Sequence, residues 1–312
     1  MKNNFLFLLL FSVCTVVSCK KNKANNTGQD PPPSSGEDTI KFEEPKDPAI
    51  ANTIGFFLDD WSGKIFSVAS YDDMPKPSNE GSVFVTVDVA RVITKVPKYI
   101  AGQNANSWMG KIVTESSLVN NIENLNAGVI RFPGGSISDV YFWNQSSAPP
   151  SDAPANLVDA EGNPVNNPYW YGKRNDDWTI HLDNYYSLLQ QTGDQGLITV
   201  NYGYARYGTG NNPVAEAAHL AADWVRYDNG RTKYWEIGNE CNGTWEAGYR
   251  INTSTNKDEQ PEVITGSLYG QHARVFIDSM KKAASELGKT IYIGAYLLEK
   301  QPESWQTATD KS

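Results

Sequence analysis

The chain has 312 residues and a net charge of −9. That length can bury one large core or two small ones. The acidic balance, with no basic stripe to neutralise phosphates, argues against nucleic acid or an anionic membrane surface as an electrostatic partner.

Met1-Lys2 precede an apolar run from Phe5 to Val17 that is too short to persist as a membrane-spanning helix and closes in Val16-Val17-Ser18-Cys19. This ending resembles a bacterial lipobox. Residues 1–18 are therefore expected to be a lipoprotein signal peptide, with cleavage before Cys19 and acylation of its thiol as a lipid anchor. Lys20 in the next position favours sorting to the outer membrane of the cell envelope. A plain secretory signal is the alternative. Cys14 would leave with the signal and Cys241 would remain alone, so no disulfide framework is expected.

Residues 19–39 are rich in Asn, Lys, Gly, Ser and Pro, including Pro31-Pro32-Pro33-Ser34-Ser35-Gly36, and read as a disordered tether. Residues 40–96 read as a β-rich segment with strands at Ile54–Leu58 and at the alternating Val83–Val89. From residue 97 to 312 strands and helices alternate. Strands are expected at Tyr99–Asn104, Gly128–Phe132, Gly196–Tyr202, Thr232–Asn239 and Thr290–Tyr296. Helices are expected at His181–Gln191, Pro213–Tyr227 and Ser267–Leu287, where apolar residues recur at about 3.6 positions. The long insertion at 145–177, with its cluster Tyr169-Trp170-Tyr171, is of a length that is functional or disordered. His181, His219 and His272 fall in or beside helices without metal-site spacing, so they read as structural or solvated, and no metal or cofactor is expected.

Two strands carry chemistry. Lys233-Tyr234-Trp235-Glu236-Ile237-Gly238-Asn239-Glu240 delivers an Asn-Glu pair to a strand tip, where a carboxylic acid is well placed to give up a proton. Gly-Asn-Glu also occurs as an ordinary solvated turn. Gly128-Val129-Ile130-Arg131-Phe132-Pro133-Gly134-Gly135 places an arginine inside an apolar run, and a guanidinium there needs a carboxylate. Alternation puts Glu236 and Glu240 on one strand face as candidates, with a purely structural ion pair the favoured reading for Glu236.

The order of Arg131-Phe132-Pro133-Gly134-Gly135, then Gly196-Leu197-Ile198-Thr199-Val200-Asn201-Tyr202-Gly203 with Gly208-Thr209-Gly210, then Trp235-Glu236-Ile237-Gly238-Asn239-Glu240 resembles the clan A glycoside hydrolases. Within the clan it is most similar to the α-L-arabinofuranosidases of family fifty-one. The resemblance implies an α/β fold, a (β/α)8 TIM barrel, and a retaining hydrolase of polysaccharide degradation whose substrate is a polysaccharide or oligosaccharide. It implies Glu240 as general acid/base, Asn239 on the sugar 2-hydroxyl and Arg131 steadying a nucleophile carboxylate from a later strand. Retention needs two carboxyl groups about 5 Å apart with split pKa values. Asn104, Asn106 and Trp108 at the tip of the first strand, with an ordinary surface loop as the alternative for each, Ser136 after the Gly-Gly turn and Tyr202 at the tip of the third are the further expected cleft residues.

Two departures from the family pattern shape the expectation. Five strands are counted where the barrel has eight, and neither Glu299 nor Glu303 stands in a nucleophile's context, so an incomplete, inactive hydrolase is expected. Ser136 stands where the arabinofuranosidases usually place an Asn. An inverting reaction with Asp139 activating water is a minor alternative. A non-catalytic carbohydrate-binding surface lipoprotein and another clan A activity (endoglucanase, xylosidase, glucuronidase) are the competing functions.

Overall fold

The computed structural model describes residues 97–297 apart from Asn167, together with Ser70, Asp72, Pro75, Val83, Val85 and Thr86. The signal peptide with Cys19, the tether, the strand at Ile54–Leu58 and the positions Glu299 and Glu303 lie outside the described residues. Of the expected Val83–Val89 strand, the described Val83, Val85 and Thr86 are exposed and in no strand.

In chain order the strands are β1 (Gly102–Asn104), β2 (Val129–Phe132), β3 (Tyr141–Phe142), β4 (Asn156–Val158), β5 (Pro164–Asn166), β6 (Trp170–Tyr171), β7 (Gln195–Val200), β8 (Tyr234–Ile237) and β9 (Tyr292–Ala295). The helices are α1 (Ser116–Leu125), α2 (Leu182–Thr192), α3 (Gly203–Tyr207), α4 (Pro213–Asp228) and α5 (Gly266–Glu286), with a 3-10 turn at Gly135–Val140. Strands β1, β2, β7, β8 and β9 pair in that order, all parallel, in one five-stranded sheet. Sequential parallel strands joined by helices are the barrel-type α/β arrangement that was expected, here as an open sheet rather than a closed barrel.

Alternation along the strands sorts the side chains into two faces. Ile130, Phe132, Ile198, Val200, Trp235 and Ile237 lie on one face, all essentially buried, and each full burial stabilises by about 1.5–3 kcal/mol. Their cover includes Ala217, Ala221, Trp224 and Val225 of α4 and Phe276, Met280 and Ala283 of α5, where the alanines admit close helix approach. The opposite face has a layer of Tyr99, Val129, Tyr234 and, packed against them, Leu197 and Tyr292, with Tyr234 and Tyr292 stacked at 5.7 Å. The next layer on that face is polar: Arg131, Thr199 and Glu236.

Several boundaries differ from the expected ones. The first strand begins at Gly102 because Pro97–Ile100 turn, with Ile100 N–H donating to Pro97 O at 3.3 Å. The third ends at Val200, where Tyr202 already has helical backbone angles. Helix α1, unexpected amid Asn120, Asn121 and Asn124, buries only Val119 and Ile122. The 145–177 insertion is ordered over its described residues: β4 and β5 pair antiparallel, and β6 pairs parallel with β3. His181 caps α2 by accepting from Asp183 N–H, and His219 is exposed. His272 is buried, its ring 3.1 Å from Tyr202 Oη, and burial lowers its pKa to about 4, so it stays neutral. No helix among the described residues is long and apolar enough to cross a membrane.

Candidate active site

The polar layer leads to the C-terminal ends of β2, β7 and β8, where the connecting loops converge. Arg131 donates through Nε to Glu236 Oε2 at 2.7 Å and through Nη2 to Asn239 Oδ1 at 3.0 Å. Thr199 Oγ1 adds a bond to the same Glu236 oxygen at 2.9 Å. Glu236 is thus the structural partner of Arg131, as favoured from sequence. The guanidinium's second edge goes to the amide beside Glu240, not to a catalytic carboxylate among the described residues.

Asn239 is buried and held at both ends of its side chain. Oδ1 accepts from Arg131, and Nδ2 donates to Glu246 Oε1 at 2.9 Å, leaving one Nδ2 hydrogen for a ligand. Its backbone N–H donates to Asp139 Oδ2 at 3.0 Å. Asp139 Oδ1 accepts from the N–H groups of Tyr202 at 3.2 Å and Gly203 at 3.1 Å. One carboxylate therefore ties together the connections after β2, β7 and β8. Asp139 is 1% exposed, and burial, with Glu246 adding repulsion, pushes its carboxyl well above the usual carboxylate range. With its bonds directed to backbone N–H groups and no access to water, it cannot activate an attacking water as an inverting reaction would require.

Glu240 follows in an exposed turn with φ 41°, a left-handed conformation. The strand has already ended at Ile237, and Gly238 has φ 74°. A Cβ at Gly238 would lie 2.6 Å from Cys241 Sγ and 2.7 Å from Tyr202 Cβ, so only glycine fits. This turn breaks the alternation, and the expected common strand face of Glu236 and Glu240 does not extend to Glu240.

The turn after β2 brings in the first strand. Gly134 has φ 79°, and a Cβ there would meet Asn106 Oδ1 at 2.2 Å and Asn104 Cβ at 3.4 Å. Asn104 and Asn106 therefore flank the Pro-Gly-Gly turn. Trp108 is more than half exposed. Ser136 donates through Oγ to Glu246 Oε1 at 2.7 Å, which joins it to the Asn239 cluster. Tyr202 is a correction. It is 1% exposed, packed against Tyr269 and Phe276 and bonded to His272, because the chain enters α3 there and turns its ring into the core.

Sequence reading missed Glu246. It is buried, accepts from Ser136 and Asn239 on one oxygen and has no hydrogen-bond partner on Oε2. Burial pushes its carboxyl up. Neighbouring Trp245 is exposed. The one available signal was a Trp-Glu pair shortly after Glu240 in the same loop. Burial pushes the free thiol of Cys241 well up, which leaves it unreactive. Among the described residues no three His, Cys, Asp or Glu side chains form a group that could hold a metal.

Arg131→Lys should disrupt this arrangement, since a point charge cannot reach Glu236 and Asn239 as a planar fork does. The expected loss is roughly 1.5–3 kcal/mol of stability, the range for a hydrogen bond to a charged group. Denaturant unfolding measures it, and an unchanged midpoint would refute the fork's importance.

No protein-family model matches the chain, and no curated protein does. Among solved structures it is similar to an α-L-arabinofuranosidase from Thermotoga maritima in complex with arabinose, at 20% identity over 58% of this chain and 33% of that one, with a TM-score of 0.35. It is also similar to a family 51 α-L-arabinofuranosidase from Bifidobacterium longum, at 17% identity over 62% of this chain and 37% of that one, TM-score 0.38. A third is a family 39 glycoside hydrolase from Bacteroides cellulosilyticus, at 15% identity over 65% of this chain and 33% of that one, TM-score 0.34. The chain spans about a third of the length of these structures.

Proposed function

We propose that this chain belongs to a retaining glycoside hydrolase of α-L-arabinofuranosidase type, acting on polysaccharide or oligosaccharide with Glu240 as general acid/base. The observation that carries the reading is the Asn239-Glu240 pair: Asn239 is locked by Arg131, Glu246 and Asp139, and Glu240 stands exposed beside it at the C-terminal end of a parallel sheet. That is where a barrel-type fold places its catalytic groups. In this reading Asn239 offers its remaining N–H to a sugar hydroxyl, and Glu240 protonates the departing glycosidic oxygen and then deprotonates the water that releases the sugar. Asn104, Trp108 and Ser136 complete the sugar site.

The covalent step needs a second carboxylate. Among the described residues Asp139 and Glu246 are buried and Glu236 is engaged by Arg131 and Thr199, so none is placed for that attack. The test is release of L-arabinose from methyl α-L-arabinofuranoside and from arabino-oligosaccharides, whose poor leaving groups need a proton, by the protein expressed from its complete gene. Loss of turnover in Glu240→Gln supports the reading. Sugar binding without turnover would favour the non-catalytic surface protein.

The apolar run from Phe5 to Val17 and the ending Val16-Val17-Ser18-Cys19 support anchoring through a lipid at Cys19 in the outer membrane. Cys19→Ala should abolish labelling by radioactive palmitate and move the protein out of the membrane fraction. Retained labelling would rule out Cys19 as the acylated residue.

A further inference from the structure

We propose a second carbohydrate site, separate from the Glu240 cluster, in a cavity of about 270 Å³ between the β4–β5 hairpin, Tyr207 and the 250–255 loop. It takes a single uncharged sugar ring. The cavity shares no lining residue with Arg131, Asn239, Glu240 or Glu246, and the inference goes beyond the catalytic reading without depending on it.

Its walls are fixed before any ligand arrives. The hairpin is paired from Asn156 to Asn166. Tyr207 donates its hydroxyl to Asp139 O at 3.1 Å. The 250–255 loop is followed by a segment gripped by fully buried Arg206, which donates to Gln260 Oε1 at 2.6 Å and to Pro261 O at 2.8 Å. A preformed concavity loses little ordering entropy on binding.

The lining chemistry selects the ligand by exclusion. Buried Leu157 and Ile251, with the Tyr207 ring, offer an apolar floor suited to the C–H face of a sugar. Asn156, Asn252 and Thr255 supply a neutral polar rim. Arg250 is the charged group in the lining, and it disfavours a cation. Its Nη1 is engaged by Glu262 Oε1 at 2.5 Å, so its charge is already paired and offers little to an anion. The volume lies at or below the lower end of ordinary ligand pockets, about 300–1,000 Å³, which fits one ring rather than a chain.

The experiment titrates the full chain with L-arabinose, D-xylose and D-galactose, and with D-glucuronate and D-glucosamine as charged analogues, by saturation-transfer NMR and calorimetry. At least one neutral sugar should bind saturably, with each charged analogue at least tenfold weaker. Binding should survive Glu240→Gln and fall at least tenfold in Arg250→Gln and in Thr255→Trp, which fills the cavity without touching the Arg250–Glu262 pair. Circular dichroism verifies that each variant is folded, and either one alone suffices. The proposal is overturned if no neutral sugar binds, if glucuronate or glucosamine is preferred, or if binding persists in both cavity variants. Sugar binding lost in Glu240→Gln but kept in Thr255→Trp would place the ligand at the catalytic cluster instead, supporting that reading while sinking this one.

Discussion

Glu240→Ala should reduce hydrolysis of arabinofuranosides with sugar or alkyl leaving groups by about 10²–10⁴-fold, the usual contribution of a general acid. The first step on aryl substrates such as dinitrophenyl arabinofuranoside should be nearly spared, because a good leaving group departs without a proton. The contrast follows from position: Glu240 is exposed in a left-handed turn that its own carbonyl closes by accepting from Gly243 N–H at 2.6 Å. Comparing kcat/KM for the two substrate classes in the protein from the complete gene tests it. Equal losses on both would mean that Glu240 positions substrate instead of protonating it.

Asp139→Ala should be the most destabilising single change among the described residues of the site. It strips the acceptor from three backbone N–H groups, those of Tyr202, Gly203 and Asn239. Each orphaned buried donor costs about 1–3 kcal/mol, and relief of the desolvated carboxyl offsets part, so a net loss of roughly 3–5 kcal/mol is expected. Asp139→Asn should lose less. Its Oδ1 still serves two donors, while its amide nitrogen confronts the N–H of Asn239. Urea unfolding reads both, and an alanine variant with a wild-type midpoint would overturn the account.

The sign of the pH dependence follows from the same group. The folded-state carboxyls of Asp139 and Glu246 are raised above their unfolded values, first by burial and then by repulsion, from Glu246 on Asp139 and from Glu240 on Glu246. The folded protein therefore holds protons that the unfolded chain releases. The stability these two groups contribute is fully present below about pH 4 and is lost as pH rises through their folded values. Unfolding measured across that range should show their contribution declining toward neutral pH.

The sheet was legible because its strands are short apolar runs bounded by Gly, Asn and Pro, and Gly128–Phe132 and Thr232–Asn239 each contain a central strand. Helices α2, α4 and α5 were legible from their apolar spacing. Arg131, Ser136, Asn239 and Glu240 were singled out through the motif order, and the first three join one hydrogen-bonded cluster through Glu246. The errors share a cause. Extending a two-residue alternation past Val200 and Ile237 placed Tyr202 in the cleft and Glu240 on the face of Glu236, whereas glycine turns and the start of α3 had already redirected the chain. The roles of Asp139 and Glu246 were illegible for another reason. Asp139 works through backbone amides, which leave no residue pattern, and Glu246 meets Ser136 from a sequence separation of 110.

The double grip on Asn239 also limits how this sequence can drift. With Oδ1 facing a guanidinium and Nδ2 facing a carboxyl, the amide has one workable orientation, and neither end can change chemistry alone. An aspartate at 239 would suit Arg131 but oppose Glu246, so it becomes tolerable only after residue 246 turns into a donor such as glutamine. A hydrophobic residue at 246 would strand Ser136 and Asn239 together. Positions 131, 136, 239 and 246 are thus a single heritable unit, in which substitutions are admitted in a fixed order or not at all.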